Sequence, residues 1–305
     1  MRVASIDIGT NTCLLLIADV TPDGTLSVVY QEDCYTRLGQ GVDGSKNLHP
    51  AAIERVMTAL TAYKQQADAH GVDAVVIGAT SASRDAANRH ILVGRARDEL
   101  GLDYRVIAGE EEARLSFLGA LSAFPDLDRA VVLDIGGGST ELITGRRTDD
   151  RAQGGIEIEH RVSLDVGAVR LTERCFATIP PSASDIATAR CLVADALTAV
   201  PLDGPLPLLG ASGTTRALAK LVAPSNPWQD VPAADIRVWS ERLLTLTPDA
   251  VLALNPEIMH GRSDVLAAGV LILDLVCTTG GFAAYRPSPR GLRYGLALDW
   301  ALRHA

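Results

Sequence analysis

Asp134-Ile135-Gly136-Gly137-Gly138-Ser139-Thr140-Glu141 is the stretch on which the reading of this chain turns. The apolar residues 130–133 lead into the aspartate, and Leu142-Ile143 resumes the run after the glutamate. The pattern is strand, tight turn, strand. Three consecutive glycines cost a folded chain backbone entropy. They serve where the backbone approaches a ligand closely and aims several N–H groups at an anion. An ordinary hairpin turn is the alternative. A second copy at the amino terminus separates the two. There, residues 3–6 form a strand ending at Asp7, followed by Ile8-Gly9-Thr10-Asn11-Thr12, and residues 14–18 resume strand character. Thr21-Pro22-Asp23-Gly24 is a turn signal, and a third strand starts at Leu26. Residues 129–163 repeat this plan. A repeated unit opening each half predicts two related domains, 1–125 and 126–305, with the boundary near Phe124-Pro125.

Between the copies, Arg37-Leu38-Gly39-Gln40-Gly41-Val42-Asp43-Gly44 reads as a glycine-rich loop. Pro50 sits in the first turn of a helix to His70, with Ile53, Val56, Met57 and Leu60 on one face and Gly71 as its stop. A strand over 74–77 runs into Gly78-Ala79-Thr80-Ser81-Ala82-Ser83-Arg84, and Asp85 opens a helix to Leu100. Residues 104–107 read as a short strand, and Gly109-Glu110-Glu111-Glu112 starts another helix. In the second half, helices are predicted over 168–175, 184–200, 216–222, 235–246, 248–254 and 264–276. A strand over 206–209 precedes Gly210-Ala211-Ser212-Gly213-Thr214, a basic stretch covers 286–295, and a terminal helix follows. The fold class is α/β.

Composition narrows the function. The 305 residues suffice for two domains. A formal charge of -9 argues against broad basic coating for DNA or an acidic membrane. No uncharged apolar run is long enough to cross a bilayer. Cys13, Cys34, Cys175, Cys191 and Cys277 show no paired spacing and read as reduced thiols of a cytoplasmic protein, not a zinc site. Walker-type, dinucleotide and nucleophile-elbow signatures are absent.

Chemistry is carried by the two Asp-x-Gly turns. Their N–H groups suit phosphate, while Asp7 and Asp134 suit a hydrated divalent cation that accompanies it. Magnesium fits best, because it keeps waters and takes one or two carboxylates. Glu110, Glu111 and Glu112 favour a helix start through the dipole. One of them, or Glu141, can orient or deprotonate an attacking water; spacing leaves all four open. Arginines near glycine or hydroxyl loops are Arg37, Arg84, Arg216, Arg290 and Arg293, and Arg84 stands out after its hydroxyl run. Gly210-Ala211-Ser212-Gly213-Thr214 is either a third anion turn at a helix start or a plain strand-to-helix turn.

Asp7-Ile-Gly-Thr-Asn11, Gly109-Glu-Glu-Glu112, Asp134 to Glu141, Gly210-Ala-Ser-Gly-Thr214 and Arg290-Gly-Leu-Arg-Tyr-Gly295 occur in this order. Together they resemble the exopolyphosphatase / guanosine pentaphosphate phosphohydrolase family across essentially the whole chain. The resemblance implies duplicated actin/Hsp70/sugar-kinase-like (ribonuclease H-like) domains with an interdomain cleft. It implies hydrolysis of the terminal phosphoanhydride of inorganic polyphosphate or of guanosine pentaphosphate, with Mg2+, by a homodimer. By the same resemblance Glu112 is the catalytic base and Glu141 the second active-site glutamate. Asp7, Gly9, Thr10 and Asn11 form the first phosphate loop. Asp134 and Gly136, Gly137, Gly138 and Ser139 form the second, with Gly210, Ser212, Gly213 and Thr214 as a third turn. Arg84 contacts the terminal phosphate, and Asp7, Asp134 and Glu141 bear on the metal. The chain is similar to the short, two-domain members, which implies shorter polyphosphates or a groove built by a dimer. A phosphotransferase, or a sensor that binds guanosine tetra- or pentaphosphate without turnover, are the competing readings.

Overall fold

The computed structural model describes residues 1–150, 155–202 and 204–304. The chain divides into two compact units. The first is Met1–Pro125 with Gly145–Glu159 and Arg290–Ala305, and the second is Asp126–Thr144 with His160–Pro289. The return of Gly145–Glu159 and Arg290–Ala305 to the first unit departs from two contiguous domains.

In the first unit, β1 (Arg2–Ile8), β2 (Cys13–Val20) and β3 (Leu26–Cys34) are followed by α1 (Val42–Ser45), α2 (Pro50–His70), β4 (Ala74–Ala79), α3 (Ser81–Asp85), α4 (Arg89–Leu100) and α5 (Gly109–Leu121). The sheet order is β3-β2-β1-β4. β1 is antiparallel to β2 and parallel to β4, so its Asp7 lies level with Gly78. Apolar side chains of β1 and β2 pack on α2, where Ile53, Val56, Met57 and Leu60 are buried as the spacing predicts.

Two local expectations change. The hydroxyl run before Arg84 is helical: Ser83 and Arg84 donate their amides to the Thr80 carbonyl at 3.0 Å each, winding one turn. Extended backbone at Ala86 ends it before α4. Residues 104–107 form a bridge between Val106 and Ala79 rather than a strand, held by hydrogen bonds that the Ala79 amide donates to Arg105 O and the Ile107 amide donates to Ala79 O.

The second unit contains β5 (Arg129–Ile135), then parts of β6 (Thr140–Arg147) and β7 (Ile156–Leu164), whose residues are divided between the two units. α6 (Ala168–Cys175), α7 (Ala183–Leu197), β8 (Leu208–Gly210), α8 (Gly213–Val222), β9 (Val231–Pro232), α9 (Ala233–Leu243), α10 (Pro248–Leu254), α11 (Pro256–Met259), α12 (Leu266–Gly280) and β10 (Ala284–Pro287) follow. Its strand order, β7-β6-β5-β8-β10-β9, opens as the first sheet does: third, second and first strand of the meander, then a parallel strand. The duplication is therefore structural, and the fold is a duplicated α/β type. α12 is buried nearly all round and centres the core. β10 was missed within the basic stretch; Arg286 and Pro287 pair in parallel with Leu209 and Gly210. α13 (Leu292–His304) closes the chain within the first unit.

Candidate active site

The three consecutive glutamates have three different surroundings, all within the first unit. Glu110 is exposed. Glu111 takes two hydrogen bonds of 3.1 Å from Arg114, which hold its carboxyl below the usual range. Glu112 is 7% exposed. Its Oε2 receives the Nη1 of Arg84, which also donates to the Ile107 carbonyl at 3.2 Å. The fourth residue of α5, Glu112, turns its side chain inward, while the second, Glu110, faces water. Arg84 comes from the last turn of α3, so the order β4, α3, α4, bridge, α5 brings a guanidinium and a carboxylate together from distant sequence. The other hydroxyls of that run serve the fold, as where Ser83 Oγ bonds Tyr104 Oη at 2.8 Å.

The first loop, Gly9–Thr12 in the same unit, closes through Gly9 N to Thr12 O at 2.9 Å. Thr10 is buried, and Asp7 and Asn11 are half-buried. In the second unit, the Gly136 amide donates to Ser139 O at 2.9 Å, so 136–139 is a tight turn between β5 and β6. Ser139 is buried and Asp134 half-buried. Glu141, 1% exposed, accepts from Ser163 Oγ at 2.7 Å. This partner on β7 had no signal in sequence, because pairing with β6 alone brings it near.

The third turn, also in the second unit, is built as a cap. Ser212 Oγ accepts from the Thr215 amide at 3.1 Å and starts α8 at Gly213, three residues earlier than expected. Arg262 Nη1 donates to Gly213 O at 2.6 Å, a basic neighbour that sequence reasoning did not single out. Thr214 is buried. Arg216 Nη1 bonds the Ala211 carbonyl at 3.0 Å. Of the remaining candidate arginines, Arg290 bonds Ser122 O and Oγ at 3.1 Å, and Arg293 is buried, bonding Leu15 O and pairing with Asp33. Both brace the first unit.

Among the described residues, no three His, Cys, Asp or Glu side chains converge into a metal cage. The carboxylates at and beside the turns are those of Asp7, Asp134 and Glu141. Such hard oxygen donors suit magnesium, which holds most of its own waters and rides on phosphate.

A family model described as the Ppx/GppA phosphatase family matches residues 16–304. The chain belongs to that family. Exopolyphosphatase 2 of Mycobacterium tuberculosis is 38% identical over 294 residues, spanning 90% of this chain and 89% of the relative. Exopolyphosphatase 1 of Mycobacterium bovis is 28% identical over 310 residues, with 98% and 88% covered. The crystal structure of the Aquifex aeolicus Ppx/GppA family member matches with a TM-score of 0.82 at 28% identity, covering 100% of this chain and 98% of that one. A Cytophaga hutchinsonii exopolyphosphatase matches at 0.86 and 26%, with 98% of each chain covered.

Proposed function

We propose that this Ppx/GppA chain is an exopolyphosphatase that hydrolyses the terminal phosphoanhydride of inorganic polyphosphate and releases orthophosphate. The observation that carries the reading is the Glu112–Arg84 pair at the start of α5. A carboxylate buried beside a guanidinium places a proton acceptor next to a phosphate ligand. The relatives' names supply the substrate class.

Glu112 accepts a proton from water as the water oxygen bonds to the terminal phosphorus. The bridging oxygen leaves with the shortened polymer. Arg84 forks onto terminal phosphate oxygens. The first loop contributes the N–H groups of Thr10 and Asn11, and the second loop those of Gly137, Gly138 and Ser139, while the amides of Gly9 and Gly136 close the turns themselves. Amides fixed before substrate arrives stabilise charge without reorganising. Gly210, Ser212, Gly213 and Thr214 hold phosphates further along the polymer. Asp7, Asp134 and Glu141 would hold magnesium, which when bound offsets the charge of the phosphates. The same reading takes the protein as a cytoplasmic homodimer, with guanosine pentaphosphate as the alternative substrate.

The test is phosphate release from polyphosphates of several lengths, guanosine pentaphosphate and ATP, with and without Mg2+, alongside light scattering for the oligomeric state. Release from polyphosphate that needs Mg2+ is the expected result. Loss of ATP only when an acceptor is added would instead make the chain a phosphotransferase.

A further inference from the structure

An anion-binding turn must do two things at once. It must aim N–H groups at the ligand and dispose of its own carbonyls. In a planar trans peptide the C=O of one residue and the N–H of the next point in opposite directions. Tying the carbonyl to a support on one side therefore aims the following N–H to the other.

Each unit contains such a support, built separately in each and at the same place in the meander. In the second unit it follows β7. The amide of Ala168 donates to Gly136 O at 2.9 Å, and those of Val169 and Arg170 donate to Gly137 O at 2.8 and 3.0 Å. Thr140 Oγ1 donates to Val166 O at 2.6 Å, pinning the far end of the turn. Gly167 lies flat against the loop: a Cβ there would come within 2.6 Å of Gly137 C and O and of Gly138 C. In the first unit the support follows β3. The amide of Gly39 donates to Thr10 O at 2.8 Å, and that of Arg37 to Asn11 O at 3.0 Å. A Cβ on Gly39 would come within 2.2 Å of Thr10 Cγ2 and 3.3 Å of Ala82 Cβ.

We propose that Gly39 and Gly167 are positioning residues for phosphate, each letting a bracing segment seat against its loop and aim the N–H groups of Asn11 and Thr12, and of Gly137 and Gly138, at phosphate oxygens. The inference rests on the exopolyphosphatase reading for its substrate. It adds a role for two residues that do not themselves touch phosphate, and it explains why a glycine follows the third strand of both copies.

The test uses the full chain, with Gly167→Ala, Gly39→Ala and, as control, Gly44→Ala, whose Cβ would meet nothing within 4 Å. Thr140→Val and Thr140→Ser provide a second route, since serine keeps the hydroxyl bond to Val166. Readouts are kcat and KM on polyphosphate, the Kd for inorganic tripolyphosphate by calorimetry, and the melting midpoint. The expected result is at least a tenfold rise in KM and in tripolyphosphate Kd for Gly167→Ala and Gly39→Ala. Gly44→Ala should match wild type. Thr140→Val should shift KM in the same direction and Thr140→Ser restore it. Folded Gly167→Ala and Gly39→Ala proteins that bind tripolyphosphate like wild type would overturn the proposal. Should those two not fold, a wild-type KM and Kd in Thr140→Val would overturn it. If wild type binds tripolyphosphate but releases no phosphate from any polymer, the exopolyphosphatase reading fails, while the effect of the bracing variants on Kd still tests the brace.

Discussion

Glu110, Glu111 and Glu112 differ only in which way the first turn of α5 directs them, and that direction separates solvent, a structural arginine and a buried pair with Arg84. Glu112→Gln keeps size and hydrogen bonding but cannot take a proton. It is expected to lower kcat by about 10²–10⁴-fold while leaving KM near wild type. Equal phosphate release by wild type and Glu112→Gln would move the base elsewhere. Sequence spacing could not choose among the four carboxylates, because burial and the Arg84 contact arise only once α3 and α5 are adjacent. The Asp-x-Gly turns were legible because the glycines and hydroxyls that build them are contiguous. Arg37 carries a residue-scale cost of its own. Its φ of 47° is left-handed, where a side chain other than glycine costs on the order of 1 kcal/mol. Arg37→Gly is expected to raise the melting midpoint slightly, and Arg37→Ala is not; comparing the two melts checks this.

At the scale of elements, α5 and α13 cross with backbone against backbone. A Cβ on Gly295 would come 1.9 Å from Leu115 O, and one on Gly119 would come 2.0 Å from Gly291 O. A carbonyl in a helix cannot swing aside, so Gly295→Ala should push the helices apart and cost about 1–3 kcal/mol. Because Glu112 sits at the start of α5, kcat should fall with the melting midpoint. A variant with a lower midpoint and wild-type kcat would show that the shift stops short of Glu112. The crossing is also tied by Arg114, which bonds Glu111 and, at 2.7 Å, Asp299 of α13. The Arg114 hydrogen bonds hold Glu111 below its ordinary pKa in the folded state, against the opposing effect of burial. The sign follows: a depressed carboxylate stabilises fully above its unfolded pKa, near 4.5, and the contribution is lost as pH falls through the folded value. Glu111→Gln should therefore lower the melting midpoint at pH 7 and converge on wild type in strong acid. This crossing was invisible in sequence. Gly291 and Gly295 lie in what reads from sequence as a basic stretch and one of the ordered family motifs, and only the close approach shows what they are for.

For the whole molecule, the duplicated meander told the fold, since each copy is a local run of about thirty-five residues read by turn chemistry. It did not tell that the chain returns to its first unit. Such a return depends on which apolar faces meet across the length of the chain, and periodicity does not encode that. The consequence can be measured. Leu292, Tyr294, Leu296, Ala297 and Leu298 of α13 are buried, and Leu292 and Leu296 share a small core with Ile107 and Leu115 of the first unit. Ser5 Oγ also donates to the Arg293 carbonyl at 2.6 Å. Burying a large apolar side chain is worth roughly 1.5–3 kcal/mol, so losing several of them removes much of a domain stability of about 5–15 kcal/mol. Residues 1–125 expressed alone should therefore melt without a cooperative transition. Adding residues 290–305 through a flexible linker should restore cooperativity, and restore it more fully when residues 145–159 are also supplied, because Arg147 Nη2 bonds the Leu121 and Phe124 carbonyls at the end of α5. Circular dichroism melts of the three chains decide it. A cooperative melt of 1–125 alone, at the midpoint of the full chain, would mean that α13 adds packing but not the stability assigned to it here.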